Sequence, residues 1–229
     1  MCFSATASFT VSSVLIPAGV WCIQKAWKGD RHYLPLATFP LAFGLQQGIE
    51  GLVWVGLGTD NPALVSRAAI GFAFFSHGFW LCWIPLMASQ LEKRPQMRRL
   101  WQGMAWVGAL YGTYLLVPLW FHPDWLTLSI RQQTLDYALK TLIDHPLLGY
   151  WGRVLYIATI LTPLLLTRNS VVSGMGWLVL GTLLATSRFF EQGFISVWCF
   201  FAAIASSYVV YQFLQGAATL RPSSRFRPS

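Results

Sequence analysis

The chain has 229 residues, of which 55% are hydrophobic and only 10% charged. Soluble domains carry about 25% charged residues, so this composition cannot clothe a water-facing surface and excludes an ordinary soluble domain. The formal net charge of +8 would suggest nucleic acid in a soluble chain. Here the Lys and Arg residues fall in short segments between apolar runs, where they read as topology signals, and no nucleic-acid partner is expected.

The first element follows "MCFSATASFT". Its apolar run, 5–27, is too long for the core of a signal peptide and lacks the basic start of one. It reads as a retained first span. A spanning helix needs ~20 mostly apolar residues, and further stretches qualify at 34–57, 63–89, 101–121, 149–167, 171–186 and 189–214. Only the turn around Arg188 separates the last two. The expectation is an all-α integral membrane bundle of seven transmembrane helices, a single domain over 1–214, with a basic tail over 215–229.

Between spans four and five lies a long polar segment, 122–148. Leu135, Ala138, Leu139, Leu142 and Ile143 recur in it at helical spacing, which predicts an amphipathic helix lying in the outer interface. His122–Asp124 and Asp144–Pro146 mirror one another at its ends. On such a helix they would stand ~30 Å apart, so they read as turn and cap residues.

With the N-terminus outside, eleven of the sixteen basic residues fall on inner segments: Lys25, Lys28, Arg31, Lys93, Arg94, Arg98, Arg99, Arg168, Arg221, Arg225 and Arg227. The positive-inside rule then predicts N-terminus out and C-terminus in. The tail is expected in the cytoplasm, against anionic membrane lipid.

Polar residues inside a bilayer are expensive and mark function. Span two carries Gln46, Gln47 and Glu50; span three carries Ser76 and His77; span seven opens on Glu191 and Gln192. At about 100° per residue, Gln46, Gln47, Glu50 and Trp54 fall in one sector of span two. Gly44, Gly48 and Gly51 lie beside that sector and form an edge on which another helix can pack closely.

Consecutive spans usually pack together, so Glu50 and His77 are expected to meet in the outer half of the bundle. Gln46 and Gln47 would orient them. The sequence has four cysteines, Cys2, Cys22, Cys82 and Cys199, without a paired motif, so no disulfide framework is expected. Removal of Met1 would leave Cys2 with a free amine beside its thiol. Glu50, His77 and Cys2 together would suit zinc, with copper or iron as alternatives. The leading expectation is therefore a metal site, and with it a metal-dependent membrane enzyme. Two other readings stand beside it. One is a proton-coupled small-molecule transporter using Glu50. The other is a structural or partner-binding subunit, or a homo-oligomer, whose polar stripe locks helices. No HExxH, GxSxG or Walker motif is present.

The stretches "MCFSATASF" and "FGLQQGIEGLVW" resemble an uncharacterised family of bacterial multi-pass membrane proteins, whose members start with a similar Met-Cys-Phe-Ser-Ala run. The resemblance implies an integral protein of the bacterial cytoplasmic membrane. It implies no activity and assigns no residue a role.

Overall fold

The computed structural model of the chain describes residues 4–131, 134–140, 146–189 and 194–216. Helix starts are set by local chemistry. The Ser4 hydroxyl accepts from the Ala7 N–H and caps α1 (Ala5–Lys28). Asn61 caps α3 (Pro62–Ala73) in the same way, accepting from the Leu64 N–H at 3.1 Å. Asn169 caps α7 (Ser170–Phe189), accepting from the N–H groups of Val171 and Val172. Such side chains satisfy N–H groups that have no partner inside the helix. Proline, which has no N–H to satisfy, sits in the first turn of α2 (Leu34–Gly58), α3 and α5 (Pro95–Phe121).

The remaining helices are α4 (Trp80–Leu91), α6 (Pro146–Leu166), α8 (Phe194–Ala205) and α9 (Ser207–Leu214). A π-helical segment, Phe74–Phe79, joins α3 to α4 in one continuous rod. Among the described residues, five helices are long and apolar enough to cross a membrane: Ala5–Lys28, Pro62–Leu91, Pro95–Phe121, Ser170–Phe189 and Phe194–Leu214. α2 is as long, with 25 residues, but its Gln46, Gln47 and Glu50 make it more polar.

The surface is turned inside out. On α5, Trp106 is 72% exposed, Leu110 69% and Trp120 80%. The buried residues of the same helix include Ala105, Gly108 and Gly112. Large apolar groups outward and small ones inward suit contact with lipid on one face and with helix backbone on the other. Pro85 has no N–H to offer the Leu81 carbonyl one turn earlier, and Gly108 lies directly against that carbonyl. Gly112 lies against Gly78 of the π-helical segment, where an added Cβ would fall 2.8 Å from its Cα.

α1 and α2 pack through the glycine edge expected from the sequence. A Cβ on Gly44 would meet the Ile16 nitrogen at 2.9 Å, and one on Gly48 the Ser12 hydroxyl at 2.9 Å. Gly51 is filled by the ring of Phe9.

Hydrogen bonds define one end of the bundle, and a shared groove marks the other. At the first, Asn169 donates to the Tyr33 hydroxyl, and Arg94 donates both to the Leu166 carbonyl and to Glu92. The α1–α2, α4–α5 and α6–α7 connections therefore lie together, with Lys25, Lys28, Arg31, Lys93, Arg94, Arg98, Arg99 and Arg168 near them. At the other end the α2–α3 turn, with Asp60 and Asn61, meets Pro123 and Asp124 beyond α5.

Two expectations are corrected here. The described part of the segment after α5 is strand where an amphipathic helix is expected, and Leu142, Ile143, Asp144 and His145 lie outside the described residues. That part forms a 3-10 turn and an antiparallel hairpin of β1 (Leu126–Arg131) and β2 (Thr134–Leu139). Leu126, Leu128 and Ile130 alternate with polar residues, as do Leu135 and Tyr137, and period-two alternation belongs to a strand. Thr134, Leu135 and Tyr137 are buried, so β2 presses into the bundle instead of lying on its surface. The boundary between the last two long helices also moves. α7 continues through Arg188 to Phe189, and the next described helix, α8, starts at Phe194.

Two measurements check this packing. Gly108→Ala should destabilise the protein in detergent by about 1–3 kcal/mol through overpacking. Gly103→Ala on the same helix meets nothing within 4 Å and should stabilise slightly or leave the melting temperature unchanged. The second concerns Glu92, whose side chain is fully buried. Its hydrogen bonds from Arg94, followed by the N–H groups of Arg94 and Lys93, hold the carboxyl at about 2, below the ordinary 4.5. A lowered folded value stabilises above the unfolded one and fades as pH drops through the folded one. The extra stability of the native chain over Glu92→Gln, on the order of 1–3 kcal/mol, should therefore be constant above about pH 4.5 and disappear towards pH 2.

Candidate functional site

Glu50 is the one charged-type side chain buried within the described helices, at 1% exposure. Three features of α2 bring it there. The glycine edge faces α1, the centre of the polar sector lies roughly 110° around the helix from it, and α4 and α8 fill the space on that side. One Glu50 oxygen accepts from the Gln47 amide at 3.1 Å, and the other accepts from the Ser196 hydroxyl of α8. Both donors are neutral. Gln46 accepts from the Trp80 indole of α4 at 2.7 Å. Trp83 reinforces the same pair of helices by donating to Thr38 at 2.9 Å.

The cluster is only partly satisfied. Gln46 Nε2, Gln47 Oε1 and the indole nitrogens of Trp54 and Trp198 are buried without a hydrogen-bond partner. So is the Tyr137 hydroxyl of β2. Buried polar atoms are nearly always paired in native proteins, and each exception calls for a reason.

His77 has other partners. It pairs with the Ser76 hydroxyl at 2.8 Å, and its ring lies 6.0 Å from that of Tyr156. Tyr156 of α6 donates to the Ser76 carbonyl at 2.6 Å. A side chain bonding into the carbonyl ladder accompanies the π-helical turn there, and such turns often mark functional positions.

The sequence-expected residues therefore separate into two groups. Gln46, Gln47 and Glu50 form one centre, with Trp54 half-buried above it. Ser76 and His77 form another with Tyr156. Glu50 and His77 share no hydrogen bond: the α3–α4 rod bonds to α2 through the indoles of Trp80 and Trp83. Among the described residues no group of three or more His, Cys, Asp or Glu is placed to hold a metal ion. Cys2, Glu191 and Gln192 lie outside the described residues. Cys22, Cys82 and Cys199 are free thiols.

Sequence reasoning missed Ser196, Trp80 and Tyr137. Ser196 and Trp80 belong to spans distant along the chain, and nothing local marks them. Tyr137 is legible only once its segment is read as a strand.

Removing the α8 donor tests this centre. Ser196→Ala leaves a buried Glu50 oxygen without its partner and should cost about 1–3 kcal/mol, read as a lower melting temperature in detergent. An unchanged melting temperature would show that the bond does not hold α8 to α2.

No curated protein and no solved structure matches the chain. One family model does match, over residues 1–224, and its description is a family of unknown function (DUF6629). The chain belongs to that family.

Proposed function

We propose that the protein is a proton-coupled transporter of small molecules, with Glu50 as the group that carries the proton. It forms a bundle of seven spans in a bacterial cytoplasmic membrane. α2 and α6 complete the set begun by the five apolar helices, and the α3–α4 rod counts once, as does the α8–α9 pair. The basic end faces the cytoplasm, which puts the N-terminus and the hairpin outside.

The observation that carries this reading is the incomplete pairing around a buried carboxyl. Glu50 sits among neutral donors, while Gln46 and Gln47 of the same sector, and Tyr137 in the apolar cluster against α2 and α8, keep unspent hydrogen-bonding capacity. A centre that only fastens helices gains most when every polar atom is paired. Unspent donors and acceptors around an exchangeable proton suit a site that is visited by water or solute.

The second reading is a helix lock. It draws on the bonds themselves, since Gln47, Ser196 and Trp80 tie α2 to α8 and α4.

The proton is itself the probe. The protein is reconstituted in liposomes holding a pH-sensitive dye, and a pH gradient is imposed with potassium and valinomycin clamping the potential. Proton movement should exceed that of empty liposomes and fall at least ~10-fold in Glu50→Gln, a loss of about 1.4 kcal/mol or more in rate terms. Equal flux in both proteins overturns the transport reading. A Glu50→Gln protein that loses stability with no change in flux supports the lock.

A further inference from the structure

A groove of about 510 Å³ lies at the hairpin end of the bundle, between the α2–α3 turn and β1. Its volume is that of a small-molecule site. Asp60, Asn61 and Asp124 stand among its lining residues, and Ala69 and Leu128 line it as well. Those last two also belong to the apolar cluster that encloses Tyr137. Leu128 is the residue directly across the strand pair from Tyr137. One layer of side chains thus separates the groove from the tyrosine.

Tyr137 reaches the other way as well. Its ring stacks on Phe72 of α3 at 4.5 Å and 14°. Its hydroxyl is buried and has no partner among the described residues. Burial first, then its nearness to Glu50 and Cys199, holds its phenol well above the usual tyrosine range. These two are the titratable groups that act on it, Glu50 from α2 and Cys199 from α8. Val53 and Cys199 share its apolar cluster, and Ile49, Trp54 and Ile195 pack against it, so the tyrosine lies against the stretches of α2 and α8 that carry Glu50 and Ser196.

From this placement we infer that the groove is the outer aqueous entrance to Glu50 and that Tyr137 relays protons between them. The inference rests on the proton-carrying reading of Glu50. In one passage, water in the groove gives a proton to the Tyr137 oxygen as the phenol O–H gives its own to the Glu50 carboxylate. The phenol is neutral before and after, the water is left as hydroxide, and Glu50 ends as the neutral acid. The reverse sequence empties the site. A phenol is suited to this because one oxygen both donates and accepts. The rest of the ring seals the apolar cluster against solvent.

The test uses the full-length protein in liposomes, oriented by sealing and checked by protease access to the tail. Outside pH is stepped and the internal dye is followed by stopped flow. Tyr137→Phe keeps the ring on Phe72 and removes only the hydroxyl. It should slow Glu50-dependent proton entry at least ~10-fold, with size-exclusion profile and tryptophan fluorescence unchanged. Ser66→Trp, which fills the groove from its α3 wall, should slow entry similarly without touching Tyr137. Native flux in both variants, with flux still lost in Glu50→Gln, overturns the relay and leaves the proton-carrying reading standing. A native protein without Glu50-dependent flux overturns both.

Discussion

The buried carboxyl of Glu50 is the constraint around which the middle of the bundle is arranged. A carboxylate taken out of water without partners costs many kcal/mol. The chain answers that cost with two neutral donors, one from the next turn of α2 and one from α8. α8 must then stay beside α2 at the level of Ser196. Gln46, fixed by the Trp80 indole, holds α4 to the adjoining part of the same helix. The other flank of α2 carries no polar group at all. It is glycine, and it lets α1 come close enough for Ile16 and Ser12 to fill the missing side chains. One helix thus packs by backbone contact on one side and by hydrogen bonds on the other.

The same economy of small residues recurs where α5 crosses the α3–α4 rod. Gly108 and Gly112 let it rest on the Leu81 carbonyl and on Gly78. The π-helical turn just before α4 exposes the Ser76 carbonyl, and Tyr156 takes it. Irregular backbone at this depth is tolerated only where protein groups satisfy it. Here the satisfaction comes from α6, which is thereby drawn against the rod. At the basic end Glu92 and Arg94 perform the corresponding task for the α4–α5 connection, with Arg94 extending to α6.

Much of this is legible along the chain. The positions of the long helices follow from apolar runs, and the two faces of α2 follow from 100° per residue alone. What the sequence hides is of three kinds. The hairpin escapes because Leu135 and Leu139 satisfy both a helical spacing and a two-residue alternation. Only the β1 residues Leu126, Leu128 and Ile130 tip the balance. Ser196 escapes because a lone serine in an apolar helix has no pattern, and its meaning comes from a partner 146 residues earlier. The supposed meeting of Glu50 and His77 fails for a packing reason. Neighbouring spans do pack, and α3 meets α2 where Val65 lies against Gly56 and Gly71 against Ile49, but the rod's hydrogen bonds to α2 come from Trp80 and Trp83, while His77 pairs with Ser76 and lies by Tyr156.

The central claim is that Glu50 exchanges a proton and is more than a fixed member of a hydrogen-bonded lock. Infrared difference spectroscopy across a pH titration of the purified protein in lipid reads this directly. The account predicts a carboxylic acid carbonyl band that grows and fades reversibly with pH, shifts when the Ser196 donor is removed, and is missing from Glu50→Gln. A spectrum whose carboxyl bands are the same in the native protein and in Glu50→Gln at every pH would contradict it.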